Sequence, residues 1–238
     1  MQRYFANVID NKVILSKDDE HHVINVMRSR VGDEIEVVSD SNLYLCAINS
    51  VKPLEILVKS RLDSNKTNTN ITLFFALAKG EKIDFVIQKA TELGAKNIVL
   101  VSTKRCVVKL DNDDFNKKLV RYTKIAKESA EQSHRLEIPN ILGVYSIDKI
   151  PSELLKGNLY VAYEKEKGDT SSFYEELNKM PKDNDVGIII GPEGGFDPEE
   201  IVKLNSKGFK NVSLGNRILR TETAAVYALS VIGFSLER

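Results

Sequence analysis

The fold class of this 238-residue chain follows from one stretch, Ile188-Ile-Ile-Gly-Pro-Glu-Gly-Gly-Phe196, and from the Asp197-Pro-Glu-Glu200 that comes after it. The apolar residues predict a buried strand that stops at the Gly-Pro pair. The next four residues predict the start of a helix, with Asp197 as the N-cap, a proline at the first helical position and Glu200 as the reciprocal carboxylate. A strand that leads directly into a helix indicates an α/β fold.

The same alternation of strands and helices extends over residues 71–238. Predicted strands are 71–78, 97–101, 159–163, 186–190 and 211–214, and predicted helices are 81–93, 114–133, 171–179, 198–207 and 221–236. In the first helix, Ile83, Val86, Ile87 and Ala90 share one face, and Gly94 predicts its end. This order predicts a mainly parallel sheet covered by helices on both faces.

The residues before this region have a different pattern. Short strands at 4–9, 12–15, 34–38, 43–49 and 55–62, with one helix from a capping box at Ser16 to about Arg28, predict a compact β-barrel. Asp10-Asn11 predicts a hairpin turn between the first two strands. Residues 63–70 contain no large apolar side chain and are rich in turn formers, so the domain boundary is placed there, with domains at 1–66 and 71–238.

Composition excludes several classes of protein. Hydrophobic residues make up 42% of the chain, which excludes a disordered chain, and 34 basic residues balance 34 acidic ones, so no overall field attracts nucleic acid. No apolar stretch approaches the roughly 18 residues of a membrane span, and the N-terminus lacks a secretion signal. Cys46 and Cys106 form no metal-binding or disulfide pattern with the three histidines, which predicts no metal, two buried thiols and a cytoplasmic protein.

The glycine loop after the strand at 186–190 is a candidate ligand site, because ligands of α/β sheets bind beyond the carboxyl ends of strands. Gly194 and Gly195 allow the backbone to approach a ligand, although glycines also occur in ordinary turns. Neither a P-loop nor a dinucleotide fingerprint is present, and Glu193 would repel a pyrophosphate. Main-chain groups and a carboxylate suit a neutral or cationic ligand, such as a sulfonium methyl donor.

A second candidate loop is Leu214-Gly-Asn-Arg-Ile-Leu-Arg-Thr-Glu-Thr-Ala-Ala225. Thr221 is a plausible N-cap of the last helix, and Glu222 suits the positive end of its dipole. A cation at that position is unfavourable unless it has another partner. Arg220 is therefore the strongest functional candidate in the chain.

The helix predicted at 114–133 carries a basic segment. Residues 115–127 contain five basic and no acidic side chains, and Lys117, Arg121 and Lys124 lie one turn apart on one face. Arg135 extends the basic character past the helix. This pattern fits either contact with RNA or an ordinary solvated face.

Several segments together resemble a known family. They are His21-His-Val-Ile-Asn-Val-Met-Arg28, Val31-Gly-Asp33, Lys79-Gly-Glu-Lys82, Gln88-Lys-Ala-Thr-Glu-Leu-Gly94, Glu131-Gln-Ser-His-Arg135 with Ile138-Pro139, Ile190-Gly-Pro-Glu-Gly-Gly-Phe196 and Leu214-Gly-Asn-Arg-Ile-Leu-Arg-Thr-Glu-Thr-Ala224. In this order they resemble the 16S ribosomal RNA (uracil-N3)-methyltransferase family of the SPOUT superfamily. The chain departs from the family pattern at residues 103–109, where Cys106 stands, and at Asp197.

The resemblance implies an N-terminal PUA-like β-barrel, a C-terminal SPOUT α/β domain with a trefoil knot, and a homodimer that binds S-adenosylmethionine and methylates N3 of a uridine in 16S rRNA of the small subunit. It implies cofactor contacts at Gly191, Glu193, Gly194, Gly195, Leu214, Gly215, Asn216, Ile218 and Leu219, with the turn after 159–163 as a further knot loop. Arg220 would stabilise charge on the uracil, and Glu222 or Glu193 would accept the N3 proton. The phosphate contacts would be made by Arg28, Arg30, Lys117, Arg121, Lys124 and Arg135.

Other readings stay open at the level of sequence. A non-catalytic RNA-binding or ribosome-assembly module would need the barrel and the basic helix but no methyl donor. A related SPOUT enzyme could act on another base or on tRNA. A dinucleotide oxidoreductase is disfavoured by the missing fingerprint.

Overall fold

The computed structural model describes residues 1–64, 69–163, 173–180 and 184–236. The chain divides into two compact units. The first contains Met1–Lys66 and Ala130–Glu137, and the second contains Thr67–Ser129 and Ile138–Arg238.

The first unit is a six-stranded sheet with order β1-β4-β5-β6-β3-β2. Its elements are β1 (Arg3–Phe5), β2 (Asn7–Ile9), β3 (Lys12–Ile14), α1 (Lys17–His21), a π-helical turn (His22–Val26), β4 (Glu34–Ser39), β5 (Asn42–Val51) and β6 (Leu54–Leu62). The two edge strands β1 and β2 are separated only by Ala6, so the sheet curls round and its edges meet as a barrel. The predicted β-barrel is confirmed.

The single strand predicted at 4–9 is wrong in one respect, because the structure divides it at Ala6. Before this residue β1 pairs in parallel with β4, and after it β2 pairs antiparallel with β3. The chain changes partners at this point, and an unbroken alternating pattern gives no sign of that change. The hairpin turn is confirmed, since Asp10 and Asn11 have φ angles of 47° and 67°. The cap at Ser16 is also confirmed, because its side chain accepts from the Asp19 N–H.

Apolar side chains fill the barrel, among them Tyr4, Val37, Ile48 and Ile56, all at most 2% exposed. Cys46 is also fully buried, and burial raises the pKa of its thiol to about 11.

A buried cation fixes residues 130–137 within the first unit. Arg3 is 6% exposed and pairs with Glu36 at 2.8 Å. Its guanidinium also donates to the backbone carbonyls of His134 and Arg135, and the carboxylate of Glu131 accepts from the Phe5 N–H. Each nitrogen of the Arg3 guanidinium therefore has an acceptor, as a buried cation requires.

The second unit contains a six-stranded, entirely parallel sheet with order β12-β10-β11-β7-β8-β9. Its elements are β7 (Ile71–Ala76), α2 (Lys82–Glu92), β8 (Asn97–Ser102), α3 (Asn112–Gln132), β9 (Asn140–Ser146), two short 3₁₀ turns (Ile147–Lys149 and Ser152–Leu154), β10 (Asn158–Ala162), α4 (Phe173–Asn178), β11 (Val186–Ile190), α5 (Pro198–Ser206), β12 (Phe209–Val212) and α6 (Thr221–Leu236). The predicted parallel α/β sheet is confirmed.

Strand β9 was not predicted. It is an edge strand that pairs only with β8, and three of its seven residues are Asn, Gly and Ser, so it lacks the apolar pattern of the central strands. The central strands β7 and β11, by contrast, are buried at every position. Helix α2 buries Ile83, Val86, Ile87 and Ala90 as predicted.

The topology brings four strand ends together. β11 lies between β10 and β7, and β12 lies beyond β10, all running in the same direction. The loops that follow these strands therefore leave the sheet at one edge, where ligands of open α/β sheets bind.

Among the helices that the structure describes, none is both long enough and apolar enough to cross a membrane.

The Arg3 arrangement leads to a prediction about stability. Arg3→Met should lower the free energy of unfolding by about 3 kcal/mol or more, because it leaves the mostly buried carboxylate of Glu36 with only the His134 imidazole as a partner and removes the donor to two carbonyls. Urea denaturation followed by circular dichroism measures this change. Arg61→Met is the control, since Arg61 is exposed and donates to Asn42, and we expect it to change stability by less than about 0.5 kcal/mol. Equal effects of the two substitutions would contradict the structural role of Arg3.

Candidate active site

One cavity lies at the edge of the parallel sheet, between the loop after β11 and the loop before α6. Its volume is about 420 Å³. Both candidate loops line it, together with the end of β10 and the start of α2. The lining residues are Lys82, Ala162, Tyr163, Ile190, Gly191, Pro192, Glu193, Gly195, Phe196, Ser213, Leu214, Gly215, Asn216, Arg217, Ile218, Leu219, Arg220, Thr221 and Ala224.

The loop after β11 is shaped by a glycine and by the helix that follows. A Cβ at Gly191 would lie 3.0 Å from the ring of Phe196, so the backbone and the ring approach more closely than most side chains allow. At the other end of the loop, Asp197 and Glu200 form the predicted capping box of α5. Glu200 is buried and also accepts from the backbone N–H of Lys104 at 2.8 Å, which fastens α5 to the loop after β8.

Thr221 has a different role from the predicted N-cap. It is the first residue of α6, and its hydroxyl donates to the carbonyl of Gly191 at 2.7 Å. The residue before it, Arg220, occupies the N-cap position, and its carbonyl accepts from the N–H of Ala224. The hydroxyl is thus used to join the two loops of the cavity, because the carbonyl at the end of β11 lies within its reach.

Lys82 connects the two candidate acids. Its ammonium lies 2.9 Å from Glu193 and 3.2 Å from Glu222, which belong to the two different loops. The hydrogen bond with Glu193 raises the pKa of Lys82. Partial burial alone would raise the pKa of Glu193, but hydrogen bonds from Lys82 and from the loop backbone outweigh it and hold this pKa below its usual value.

Arg220 is exposed, and among the residues that the structure describes it forms no ion pair. The same holds for Arg217, which also lines the cavity. An unpaired guanidinium at the rim of a cavity keeps all of its donors for a ligand. Ile218 between them is 87% exposed.

Of the nine predicted cofactor contacts, eight line the cavity and one does not. Gly194 lies against the loop after β8, where its carbonyl accepts from Arg105 at 3.1 Å and a Cβ would lie 3.1 Å from the Cβ of Arg105. Close packing against Arg105 therefore explains why residue 194 is a glycine. Of the predicted catalytic residues, Arg220 and Glu193 line the cavity, and Glu222 is joined to it through Lys82.

Sequence reasoning missed two residues that line the cavity, Lys82 and Tyr163. Lys82 lies in the Lys79-Gly-Glu-Lys82 segment that carries the resemblance, but no local pattern assigns it a role. Its partner Glu193 is 111 positions away in the chain. Cys106 is only partly buried and interacts with the hydroxyl of Thr103 at 3.2 Å, so the prediction of two buried thiols is wrong for this residue.

The basic face of α3 is partly neutralised by acids outside the basic segment. Lys117 pairs with Asp114 at 2.9 Å, and Arg121 pairs with Asp84 of α2. Lys124 is not free of partners either.

The remaining predicted RNA contacts lie in the first unit. Arg135 is half-buried, and this burial lowers the pKa of its guanidinium. Arg28 and Arg30 are exposed, flanked by the exposed apolar side chains of Met27 and Val31.

No cluster of His, Cys, Asp and Glu that could hold a metal ion occurs in the described ranges.

Comparison with known proteins identifies the family. A model described as RNA methyltransferase domain matches residues 65–233, and one described as RNA methyltransferase PUA domain matches residues 15–59. The chain is 35% identical to ribosomal RNA small subunit methyltransferase E of Bacillus subtilis, with 100% of this chain and 98% of that protein covered. This chain belongs to the ribosomal RNA small subunit methyltransferase E family. The family predicted from the sequence segments is confirmed.

Further relatives and solved structures resemble this chain over nearly its whole length. The second such protein of Borreliella burgdorferi is 32% identical over 97% of this chain and 95% of its own. The crystal structure of the Neisseria gonorrhoeae methyltransferase E, bound to S-adenosyl methionine, has a TM-score of 0.83 at 26% identity, with 98% of this chain and 97% of that chain covered. A Legionella pneumophila protein solved with the cofactor SAM has a TM-score of 0.82 at 30% identity, with 98% and 96% covered.

The bond between the two loops leads to a second prediction. Thr221→Val keeps the shape of the side chain but removes the donor to Gly191, and we expect a loss of about 1 kcal/mol in the free energy of unfolding. Thr221→Ser keeps the hydroxyl and is the matched control. Urea titration of the three proteins measures the difference. If the valine variant were as stable as the serine variant, the hydrogen bond would contribute nothing.

Proposed function

We propose that this chain transfers the methyl group of S-adenosylmethionine to N3 of a uridine in the 16S rRNA of the small ribosomal subunit. The observation that carries the proposal is the joining of two loops around one cavity with an unpaired Arg220 and a carboxylate at its edge. Membership in the methyltransferase E family, over the whole length of the chain, supports the same reaction.

The cavity fits a methyl donor of this kind. Its volume of about 420 Å³ falls within the roughly 300–1,000 Å³ of small-molecule sites. Apolar side chains at Ile190, Phe196, Leu214 and Leu219 offer contacts for a base, and Glu193 offers a negative charge to a cationic ligand. Gly215 has φ of +106°, which favours glycine, and a Cβ there would meet no atom within 4 Å, so the backbone borders open space.

Bound S-adenosylmethionine would supply an electrophilic methyl group on a sulfonium. The N3 atom of uridine carries a proton and is a poor nucleophile until it loses it. Glu193 or Glu222 accepts this proton, directly or through water, and Arg220 donates to a uracil carbonyl as negative charge develops on the ring. The two loops align the reacting atoms and keep water away from them.

RNA would be held by the cations that lie outside the cavity. Arg28 and Arg30 of the barrel are exposed and are available for phosphates. On α3, Lys117, Arg121 and Lys124 would exchange their present partners for phosphates, which lowers what each contact contributes. Arg135 is half-buried and would serve mainly to place its loop.

The proposal includes a SPOUT fold with a C-terminal trefoil knot and domains at 1–66 and 71–238. The strand order, in which β11 lies between β7 and β10 and β12 lies beyond β10, supports this topology. The predicted knot loop after β10 falls mostly on residues 164–172, outside the described residues. Residues 130–137, which the sequence assigns to the second domain, lie in the first compact unit.

The proposal also includes a homodimer in the cytoplasm. Helix α6 is apolar on most of its surface, and it leaves Tyr227 and Phe234 exposed by 41% and 58%. Phe85 of the adjacent helix α2 is exposed by 43%. Apolar groups of this size on neighbouring helices favour a protein partner, and a second copy of the chain is the partner that the resemblance implies.

The proposed reaction is tested with purified protein, S-adenosylmethionine and small subunits from cells that lack the enzyme. We expect the wild-type protein to form 3-methyluridine in 16S rRNA, detected by nucleoside mass spectrometry. Arg220→Ala should reduce the product at least 100-fold, because the uracil charge loses its donor. Calorimetry should show that this variant binds S-adenosylmethionine within a few-fold of the wild type.

Other outcomes of this experiment identify the alternatives. A different methylated base, or product only on tRNA, would overturn the assigned substrate. Binding of rRNA without binding of S-adenosylmethionine would indicate a non-catalytic assembly module. Loss of cofactor binding in Arg220→Ala would make this residue structural.

Phosphate contacts by the barrel lead to a prediction about salt. The logarithm of RNA affinity should fall linearly with the logarithm of salt concentration, and Arg28→Ala with Arg30→Ala should reduce the slope by about two, one for each lost phosphate contact. Fluorescence anisotropy with an rRNA fragment measures the slope. Lys59→Ala is the control, since Lys59 lies in the same unit and pairs with Glu34 at 2.7 Å. If the variant that lacks both arginines had the same slope as the wild type, the two arginines would not belong to the RNA interface.

A further inference from the structure

Lys82 occupies a position where a lysine needs a specific reason. It is the first residue of α2, and the N-terminus of a helix carries partial positive charge that disfavours a cation. Its ammonium nevertheless lies within 3.2 Å of two carboxylates, Glu193 on the loop after β11 and Glu222 in the first turn of α6. One side chain thus connects three separate elements around the cavity.

The two carboxylates depend on this ammonium. Because both contact the same nitrogen, they lie near each other, and two neighbouring negative charges oppose each other's ionisation. Oε2 of Glu222 is buried from water, and the Glu222 side chain is 18% exposed, so solvent cannot replace the missing charge. Glu193 is more open, at 36%, and lines the cavity.

Other charged groups near the cluster do not serve the same purpose. Arg105, on the loop after β8, interacts with the Gly194 carbonyl and with Asp197. Arg217 and Arg220 line the cavity but form no ion pair with either glutamate. Lys79 contributes a backbone hydrogen bond to Glu193.

We propose that Lys82 is a positioning residue for methyl transfer, which holds the carboxylates of Glu193 and Glu222 as a fixed, charged pair beside the cavity. This inference rests on the proposed function, because the pair is placed to take the proton that N3 of uridine loses. In the step itself the N3–H bond breaks, the proton moves to one carboxylate, and the electron pair left on N3 forms the bond to the methyl carbon. The S–CH₃ bond breaks and its electrons stay on sulfur. Lys82 takes no part in these bonds, and it acts through the glutamates.

A matched control lies on the same helix. Lys89 has the same exposure as Lys82, 31% against 30%, and it also pairs with a glutamate, Glu92. It does not line the cavity. Substitution of Lys89 therefore reproduces the loss of a helical lysine and an ion pair without touching the site.

The test compares Lys82→Met, Lys82→Gln and Lys82→Arg with Lys89→Met and the wild type. In the free protein, carbon-13 NMR follows the glutamate carboxyl groups during a pH titration. We expect the titration midpoint of Glu193 to rise by about one pH unit in the Met and Gln variants, because its neutral acid is favoured once the cation is gone. It should stay in place in Lys82→Arg and Lys89→Met. The acid limb of the methylation rate against pH should move in the same direction, so activity below that limb falls about tenfold.

The two readouts separate this inference from the proposed function. An unshifted titration of Glu193 in both neutral variants would overturn the role of Lys82, whatever the activity. A kcat that falls equally at every pH, or that Lys82→Arg fails to restore, would reduce Lys82 to a structural ion pair and overturn it as well. Failure of the wild-type protein to form 3-methyluridine would overturn the proposed reaction.

Discussion

The cavity depends on the hydrogen bond from the Thr221 hydroxyl to the Gly191 carbonyl. This carbonyl stands at the end of a fully buried strand, and the threonine starts the last helix, so the bond fixes one loop to the sheet and the other to the same point. Lys82 adds a second connection between the two loops through its partly exposed contacts with Glu193 and Glu222. The hydrogen bond of Thr221 thus fixes the position of the loops, and the ammonium of Lys82 balances the charge of their two carboxylates.

Much of the fold was predictable because the second unit follows local rules. A strand buried at every position reads as a continuous apolar run, as β7 and β11 do, and the capping box of α5 marks its own start. Strand β9 was missed because an edge strand does not need an apolar pattern. The attachment of residues 130–137 to the barrel was missed because the interaction joins Arg3 to carbonyls 131 and 132 positions away.

A residue of the site can be predicted from the sequence where its chemical role follows from its neighbours in a short segment. Arg220 stood out because a cation at a helix start is unfavourable, and the structure leaves it without an ion pair in the described part of the chain. The position of Thr221 predicts an N-cap, because capping is the usual role of threonine at a helix start, whereas the acceptor of its hydroxyl lies 30 positions away. Lys82 is likewise a cation at a helix start. Its two carboxylate partners can be identified only from the fold, which brings α2, the loop after β11 and α6 together.

These two cations show how one cavity can serve a positive donor and a negative intermediate. On the α2 side, the charge of Lys82 is more than balanced by two carboxylates, so a sulfonium meets no net repulsion there. On the α6 side, Arg217 and Arg220 form no ion pair with an acid among the described residues, so in the proposed reaction their charge would stabilise negative charge that develops on a base. The two loops carry Glu193, Arg217 and Arg220, and therefore most of the charged groups of the cavity. A substitution that moves either loop would therefore affect the orientation of the donor and the stabilisation of charge together, even where each charged side chain is retained.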